Sequence, residues 1–247
     1  YVEPVKPRTI RDTRDFISKY NDVDGFNVFG FERFIYQYIS DNYPEDQIEF
    51  DISKIQLVTI DIETKSENGF PDVESASEEV LLITIQDYTS KDIITWGVGP
   101  FNNTHDNVDY RQCDNEHHLL SSFIQWWIEN TPDVVTGWNC EFFDMPYLAG
   151  RLNRVLGAKM MKRLSPWGLV TQSEVMKMGR RNFIVDIGGV SVLDYMRLYR
   201  WSPGTPNQES FRLDYIAQQE LGQQKLDHSE FDTFKDFYTN GWQKFVE

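Results

Sequence analysis

Leu57-Val58-Thr59-Ile60-Asp61-Ile62-Glu63-Thr64 sets an apolar, β-branched run directly before two carboxylates that a single isoleucine separates. β-Branched residues favour extended backbone, and side chains alternate between faces along a strand. Asp61 and Glu63 therefore project from one face, while Ile62 packs on the other. Two like charges on a strand inside a sheet are costly unless a cation lies between them. A hard divalent ion, Mg²⁺ or Mn²⁺, takes oxygen ligands of this kind. The other reading is a strand end running into solvent, where acidic residues are common. Asp61 to Thr64 alone leave both open.

The 247 residues are 40% hydrophobic and 15% aromatic, enough for one large domain or a medium one with an appendage. No apolar run reaches the roughly 18 residues of a membrane span. The chain opens Tyr-Val-Glu-Pro, without a start methionine or signal pattern, and Trp242–Glu247 falls inside an amphipathic helix pattern. Both ends read as cuts in a longer protein. Cys113 and Cys140 make neither a disulfide framework nor a zinc spacing, which fits a reducing, intracellular setting. Asn102-Asn103-Thr104 matches a glycosylation acceptor but lacks a secretory context. The net charge of −15 argues against a general nucleic-acid binder. Charge is uneven, however. Between Gly150 and Arg200, ten Lys or Arg stand against only Glu174, Asp186 and Asp194, a footprint that is either functional or a solvated surface.

Hydrophobic spacing predicts helices over Thr9–Tyr20 and Phe31–Asn42, the second with a stripe of Phe31, Phe34, Ile35, Tyr38 and Ile39. Asp22-Val23-Asp24-Gly25 is not a calcium loop, because the first and twelfth positions would be Tyr20 and Phe31. Strands are expected at Gln47–Asp51, Lys54–Glu63, Val80–Tyr88 and Ile93–Val98, the last three as an antiparallel meander. A polar loop, Phe101–Asn115, then leads to a helix over Glu116–Asn130. The strand Asp133–Gly137 follows, suggesting a parallel crossover, and next a helix over Met145–Leu156. Leu169–Val175 and Asn182–Ile187 flank Gly179-Arg180-Arg181 as a β-hairpin. Helices over Val190–Arg200, Phe211–Leu221 and Phe231–Phe245 finish the chain. The expected architecture is α/β, a mixed sheet flanked by helices behind a small N-terminal appendage. The four histidines, including the adjacent His117 and His118, are assigned no chemistry.

Asn139-Cys140-Glu141-Phe142-Phe143-Asp144 follows a strand and opens a helix, where Asp144 standing alone reads better as a helix N-cap. Taken with Asp61 and Glu63, the order acquires another meaning. The chain resembles the B-family DNA polymerases, in particular those of T-even-type bacteriophages, over the 3′→5′ proofreading exonuclease domain and part of the N-terminal domain. Asp61-Ile62-Glu63 matches the first exonuclease motif, and Thr136-Gly137-Trp138-Asn139 through Phe143-Asp144 the second. Arg163-Leu164-Ser165-Pro166, Ser191-Val192-Leu193-Asp194-Tyr195 and Leu213-Asp214-Tyr215-Ile216 resemble the phage branch.

The resemblance implies a ribonuclease-H-like fold, with residues 1–53 belonging to the polymerase N-terminal domain and 54–247 to the exonuclease domain. It implies hydrolysis with two Mg²⁺ or Mn²⁺ ions: Asp61 bridging both, Glu63 on the ion carrying the attacking water, Asp144 on the second. Such ions also let a polyanion approach an acidic chain. Phe70 matches an aromatic that stacks near frayed primer bases, though it reads equally as a turn residue plugging the core. Asn139 is placed beside the substrate strand. Lys177, Arg180 and Arg181 lie on the hairpin that helps separate primer from template. The implied partners are single-stranded or primer–template DNA, the polymerase domains of the same parent chain, and through them a sliding clamp and replisome in the cytoplasm of an infected bacterium.

The family's fourth carboxylate lies in a Tyr-x-x-x-Asp motif after the second motif. Here that spacing occurs only at Tyr20/Asp24, Tyr88/Asp92 and Tyr110/Asp114, all before Asn139. The chain is therefore expected to stop short of it, and the fragment to bind metal poorly and cut DNA weakly or not at all. Two rivals are a ribonuclease-H-like module with only a binding or structural role, and a free-standing exonuclease. The second fits less well, because Thr9–Asp51 also resembles the polymerase.

Overall fold

The computed structural model describes residues 2–29, 34–43, 49, 51–67, 69–177, 179–224 and 226–247. They fall into two compact units, Tyr1–Ile52 and Ser53–Glu247. In the first, helix α1 (Ile10–Tyr20) starts at a capping box, with Thr9 Oγ1 accepting from Asp12 N and the Asp12 carboxylate accepting from Thr9 N. Helix α2 (Phe34–Asn42) covers the described part of the predicted second helix. No residue of either helix is buried. The predicted strand Gln47–Asp51 falls mostly outside the described residues.

The second unit is built on strands β1 (Leu57–Thr64), β2 (Val80–Asp87), β3 (Ile93–Gly97) and β4 (Val108–Gln112). Helix α3 (Glu116–Glu129) leads into β5 (Val134–Gly137), helix α4 (Asp144–Leu156) and the short α5 (Ala158–Met161). The hairpin β6 (Val170–Lys177) and β7 (Arg180–Ile187) precedes β8 (Ser191–Asp194), α6 (Tyr195–Trp201) and α7 (Leu213–Leu221). Helices α8 (Phe234–Asn240) and α9 (Trp242–Val246) close the chain. Six strands form one mixed sheet in the order β4-β3-β2-β1-β5-β8, antiparallel at β1–β2 and β2–β3 and parallel elsewhere. This is an α/β, ribonuclease-H-like arrangement, a mixed sheet flanked by helices.

The alternation expected of β1 is present. Val58, Ile60 and Ile62 are buried on one face, while Thr59, Asp61 and Glu63 take the more open face. The buried side joins Leu119, Leu120, Phe123, Ile124 and Trp127 of α3 and Met145, Leu148 and Leu152 of α4 in one core. Each such side chain, fully buried, stabilises by about 1.5–3 kcal/mol. A second cluster packs Phe237, Tyr238 and Phe245 on Leu81 and Leu82.

Three expectations change. The polar stretch Phe101–Asn115 contains β4, an edge strand whose alternation (Val108 and Tyr110 against Asp109 and Arg111) is too brief to stand out. The predicted helix Val190–Arg200 is a strand followed by a helix. Parallel pairing of Val134–Gly137 with Ser191–Asp194 overrides local preference, and Asp194 caps α6. The helix expected over Phe231–Phe245 breaks at Gly241, where a Cβ would lie 2.3 Å from the Phe231 ring.

Candidate active site

The acids meet where the parallel half of the sheet runs out. β5 pairs with β1 only through Leu57–Val134, Val58–Val135 and Thr59–Thr136. Beyond that point Gly137 comes so close to β1 that a Cβ would sit 2.6 Å from the Ile60 carbonyl oxygen. The chain then turns through Asn139, whose φ of 68° is a left-handed value that Asn adopts more readily than most residues. Phe142 and Phe143 donate back to the Asn139 carbonyl at 3.1 and 3.0 Å. Helix α4 starts immediately afterwards.

Asp144 is the first residue of that helix and not its cap; Phe143 holds the cap position and makes no side-chain cap bond. The Asp144 carboxylate reaches to β1, where Oδ1 accepts the Ile62 N–H at 3.1 Å. Asp61 and Glu63 flank that same amide in sequence. A register shift at Glu63/Thr64 disturbs the β1–β2 ladder beside them. Asp144 is 3% exposed, and burial pushes its pKa up to about 8, with the negative charges of Asp61 and Glu63 adding to the rise and the Ile62 amide opposing it. The neighbouring Cys140 thiol is also pushed up, first by burial and then by Asp194 and Asp144.

Three hard oxygen donors suit Mg²⁺ or Mn²⁺ chemically. As they stand, though, no three His, Cys, Asp or Glu side chains among the described residues are gathered to hold an ion.

Phe70 is 83% exposed and plugs no core; its ring lies 5.1 Å from Phe143, which in turn contacts Tyr147. The connection between β1 and β2 that carries Phe70 is fastened to α4 along one helical face. Tyr147 Oη donates to the Glu78 carbonyl at 2.7 Å, and Arg151 Nη1 to those of Ala76 and Ser77 at 2.9 and 3.1 Å. Arg154 Nη1 donates to Ser75 at 3.0 Å. Arg151 is also ion-paired in the interior with Glu116, whose Oε1 accepts from Val80 N at 2.8 Å. Gly150 lies under this connection because a Cβ there would come within 2.9 Å of the Ala76 Cβ.

The hairpin positions fare differently. Arg181 is ion-paired with Glu174 across the hairpin and lies 3.5 Å from Glu74. The side chains of Lys177 and Arg180 lie outside the described residues. The basic footprint thus loses Arg151 to the interior, Arg154 to a carbonyl, Arg181 to Glu174 and Arg197 to Glu141.

One residue near the acids, named in the sequence only as part of the phage-branch match, is given no role there. Asp194 is 3% exposed and accepts from Asn139 N, Glu141 N and Arg197 N. Its signal was available, an acid at the end of a β-branched run and the start of a helix, but the run was read as helix.

No helix among the described residues is long and apolar enough to cross a membrane. The family model for the DNA polymerase family B exonuclease domain matches residues 32–216. The chain is similar to the DNA-directed DNA polymerases of Escherichia phage RB69 (31% identical over 88% of this chain) and Enterobacteria phage T4 (32% over 90%). It spans 26% and 27% of their lengths. A DNA polymerase of Thermococcus litoralis is 27% identical over 70% of the chain and 9% of its own length. The chain belongs to the family B DNA polymerases, through their exonuclease domain.

Proposed function

We propose that residues 54–247 are a proofreading 3′→5′ exonuclease domain that removes terminal nucleotides from single-stranded or frayed primer DNA, and that residues 1–53 belong to the N-terminal domain of the same polymerase. The observation that carries this reading is Asp144, buried, bonded to Ile62 N and pushed towards neutrality beside Asp61 and Glu63. Asp61, Glu63 and Asp144 would hold Mg²⁺ or Mn²⁺, two ions in the complete site. Bound there, the ions supply an activated water and stabilise the attacking and leaving oxygens. Phe70 offers an exposed ring on which a terminal base stacks, held by Phe143. Asn139 lies against the substrate strand. The hairpin separates primer from template, with Lys177 and Arg180 as candidate phosphate contacts and Arg181 available only by leaving Glu174.

No Tyr-x-x-x-Asp follows Asn139 in these 247 residues, so the family's fourth carboxylate is not supplied. The chain alone then binds metal weakly and cuts DNA weakly or not at all. The second reading is a ribonuclease-H-like domain with a DNA-binding or structural role only, and the missing Tyr-x-x-x-Asp gives it its weight. The parent's partners would be primer–template DNA, its own polymerase domains, a clamp and a replisome, in the cytoplasm of an infected bacterium. The test is Mg²⁺-dependent shortening of a 5′-labelled single strand by this chain and by a longer polymerase polypeptide containing it. Activity is expected in the longer protein and lost with Asp61→Ala. No shortening by the longer protein refutes the exonuclease reading, and robust shortening by the 247 residues refutes the weak-activity part.

A further inference from the structure

We propose that Asp194 is a positioning residue: its buried carboxylate holds the turn from Asn139 to Phe143 and so sets where Asp144 meets β1. The inference rests on the reading of Asp144 as part of the metal-binding site. Its basis is the register. β5 and β8 pair in parallel up to Gly137 opposite Asp194, so Asp194 stands at the point where β5 ends and the turn begins.

Past Gly137 the amides of the turn leave the strand ladder, and buried N–H groups need acceptors. Asp194 supplies them on both sides. Oδ1 accepts from Asn139 N at 3.2 Å and from Arg197 N at 3.3 Å; Oδ2 accepts from Glu141 N at 3.2 Å. One carboxylate therefore caps α6 and fixes the turn. Both oxygens face amides, which separates Asp194 from the candidate ligands. Arg197, fixed by the same cap, is ion-paired with Glu141 and fastens the turn a second time.

The effect passes to Asp144 through backbone contacts. Asn139, held in its left-handed conformation, takes the N–H groups of Phe142 and Phe143 on its carbonyl, and the Cys140 carbonyl takes that of Met145 at 3.0 Å. These bonds close the first turn of α4 around Asp144. The bond from Ile62 N to Asp144 Oδ1 then reports where the helix has been placed. An amide at position 194 keeps one acceptor oxygen and turns an NH₂ towards an N–H. Asp194→Asn should therefore release one side of the turn while preserving size.

The experiment compares the 247-residue chain with Asp194→Asn, Arg197→Ala and Asp133→Asn. Asp133 also accepts a backbone N–H, that of Gln56 at 2.9 Å, at the other end of β5, and serves as the control. Amide hydrogen exchange is read without metal at Asn139, Glu141 and Ile62. Asp194→Asn should speed exchange at all three about tenfold or more, and Arg197→Ala should speed it less. Asp133→Asn should leave Ile62 unchanged. An unchanged Ile62 amide in Asp194→Asn overturns the proposal. If Asp194→Asn does not fold, Arg197→Ala decides on the same amide. Mn²⁺ binding by electron paramagnetic resonance is the second arm. Affinity is expected to fall about tenfold in Asp194→Asn and to hold in Asp133→Asn. An equal fall in both, or none in either, overturns the proposal. Mn²⁺ binding that Asp61→Ala and Asp144→Ala leave intact refutes the metal-site reading separately and, with it, the role assigned here.

Discussion

Two regions of the second unit carry charges that the sequence singled out, and they use them in opposite ways. Around the turn between β5 and α4, Asp144 and Asp194 are buried and bonded to backbone amides: Asp144 to Ile62, Asp194 to Asn139, Glu141 and Arg197. On the hairpin β6–β7 the charges lie outside, and Arg181 pairs with Glu174 on the opposite strand. A buried carboxylate must find donors or lose its charge, so it fixes the backbone around it. An exposed pair exchanges with water at little cost and fixes little. The first region is therefore a rigid frame for chemistry. The second is an arm whose charges remain available to other partners.

The comparison breaks most visibly at Arg151. Its ion pair with Glu116 is interior on both sides, and the same guanidinium holds Ala76 and Ser77. Removing one member of such a pair leaves a buried charge alone and costs about 3–5 kcal/mol. Arg151→Met is expected to lower the urea midpoint by that equivalent. All seven Trp lie between Trp96 and Trp242, so tryptophan fluorescence follows the second unit alone. A midpoint close to wild type would place Arg151 with the surface charges.

Asp144 sharpens the contrast through pH. Burial, together with Asp61 and Glu63, raises its pKa in the folded protein to about 8, against roughly 4 in an unfolded chain. Between those values the folded state keeps a proton that the unfolded state has released. Its contribution to stability is thus complete below about pH 4 and is lost as the pH rises to about 8. The metal-free protein should melt at a lower temperature at pH 8 than at pH 6. Asp144→Asn keeps an acceptor for Ile62 N and removes the charge, so it should flatten this dependence and stabilise the fold at pH 8 by up to about 5 kcal/mol. Parallel melting profiles for wild type and Asp144→Asn would rule out this source of the pH dependence.

What the sequence made legible follows the same division. Strand β1 and helices α3 and α4 were readable because each presents a long apolar period to one core. Asp61 and Glu63 stood out at the end of such a strand, and Asp144, the first residue of α4, through the resemblance to the polymerase motif. Strand β8 was not, since four residues give no period and its pairing depends on a strand far away in sequence. The work of Asp194 was hidden with it, being a consequence of parallel register. Arg151 was counted in a basic footprint because charge composition says nothing about burial. That it lies inside depends on the Glu116 side chain at the start of α3, which only the fold brings to it.

Phe70 stands between the two regions, exposed itself yet resting on Phe143 at the rigid turn. Phe70→Ala is expected to leave the urea midpoint nearly unchanged, because the ring is mostly in water. If the ring receives a base, the same change weakens binding of a short single strand by about 1–3 kcal/mol, measurable by fluorescence anisotropy. Unaltered binding would reduce Phe70 to a surface aromatic on the connection between β1 and β2.

The smallest structural effect is expected at the hairpin. The hydrogen bond from Arg181 lowers the pKa of Glu174, and the same bond raises that of Arg181, but both lie in solvent. The antiparallel ladder from Val170–Ile187 to Lys177–Arg180 holds the hairpin without them. Arg181→Ala should therefore give a urea midpoint indistinguishable from wild type. It should also leave the protection of the Asn139 and Glu141 amides untouched. On the proposed reading, its effect belongs to the DNA side. A guanidinium released from Glu174 to a phosphate makes binding salt-dependent, and its removal should make the slope of log affinity against log salt shallower by about 1. An unchanged slope would mean that Arg181 keeps its partner on the hairpin when DNA is bound. A destabilised fold would mean that the hairpin, like the turn, is held by its charges, and the division between frame and arm would fall.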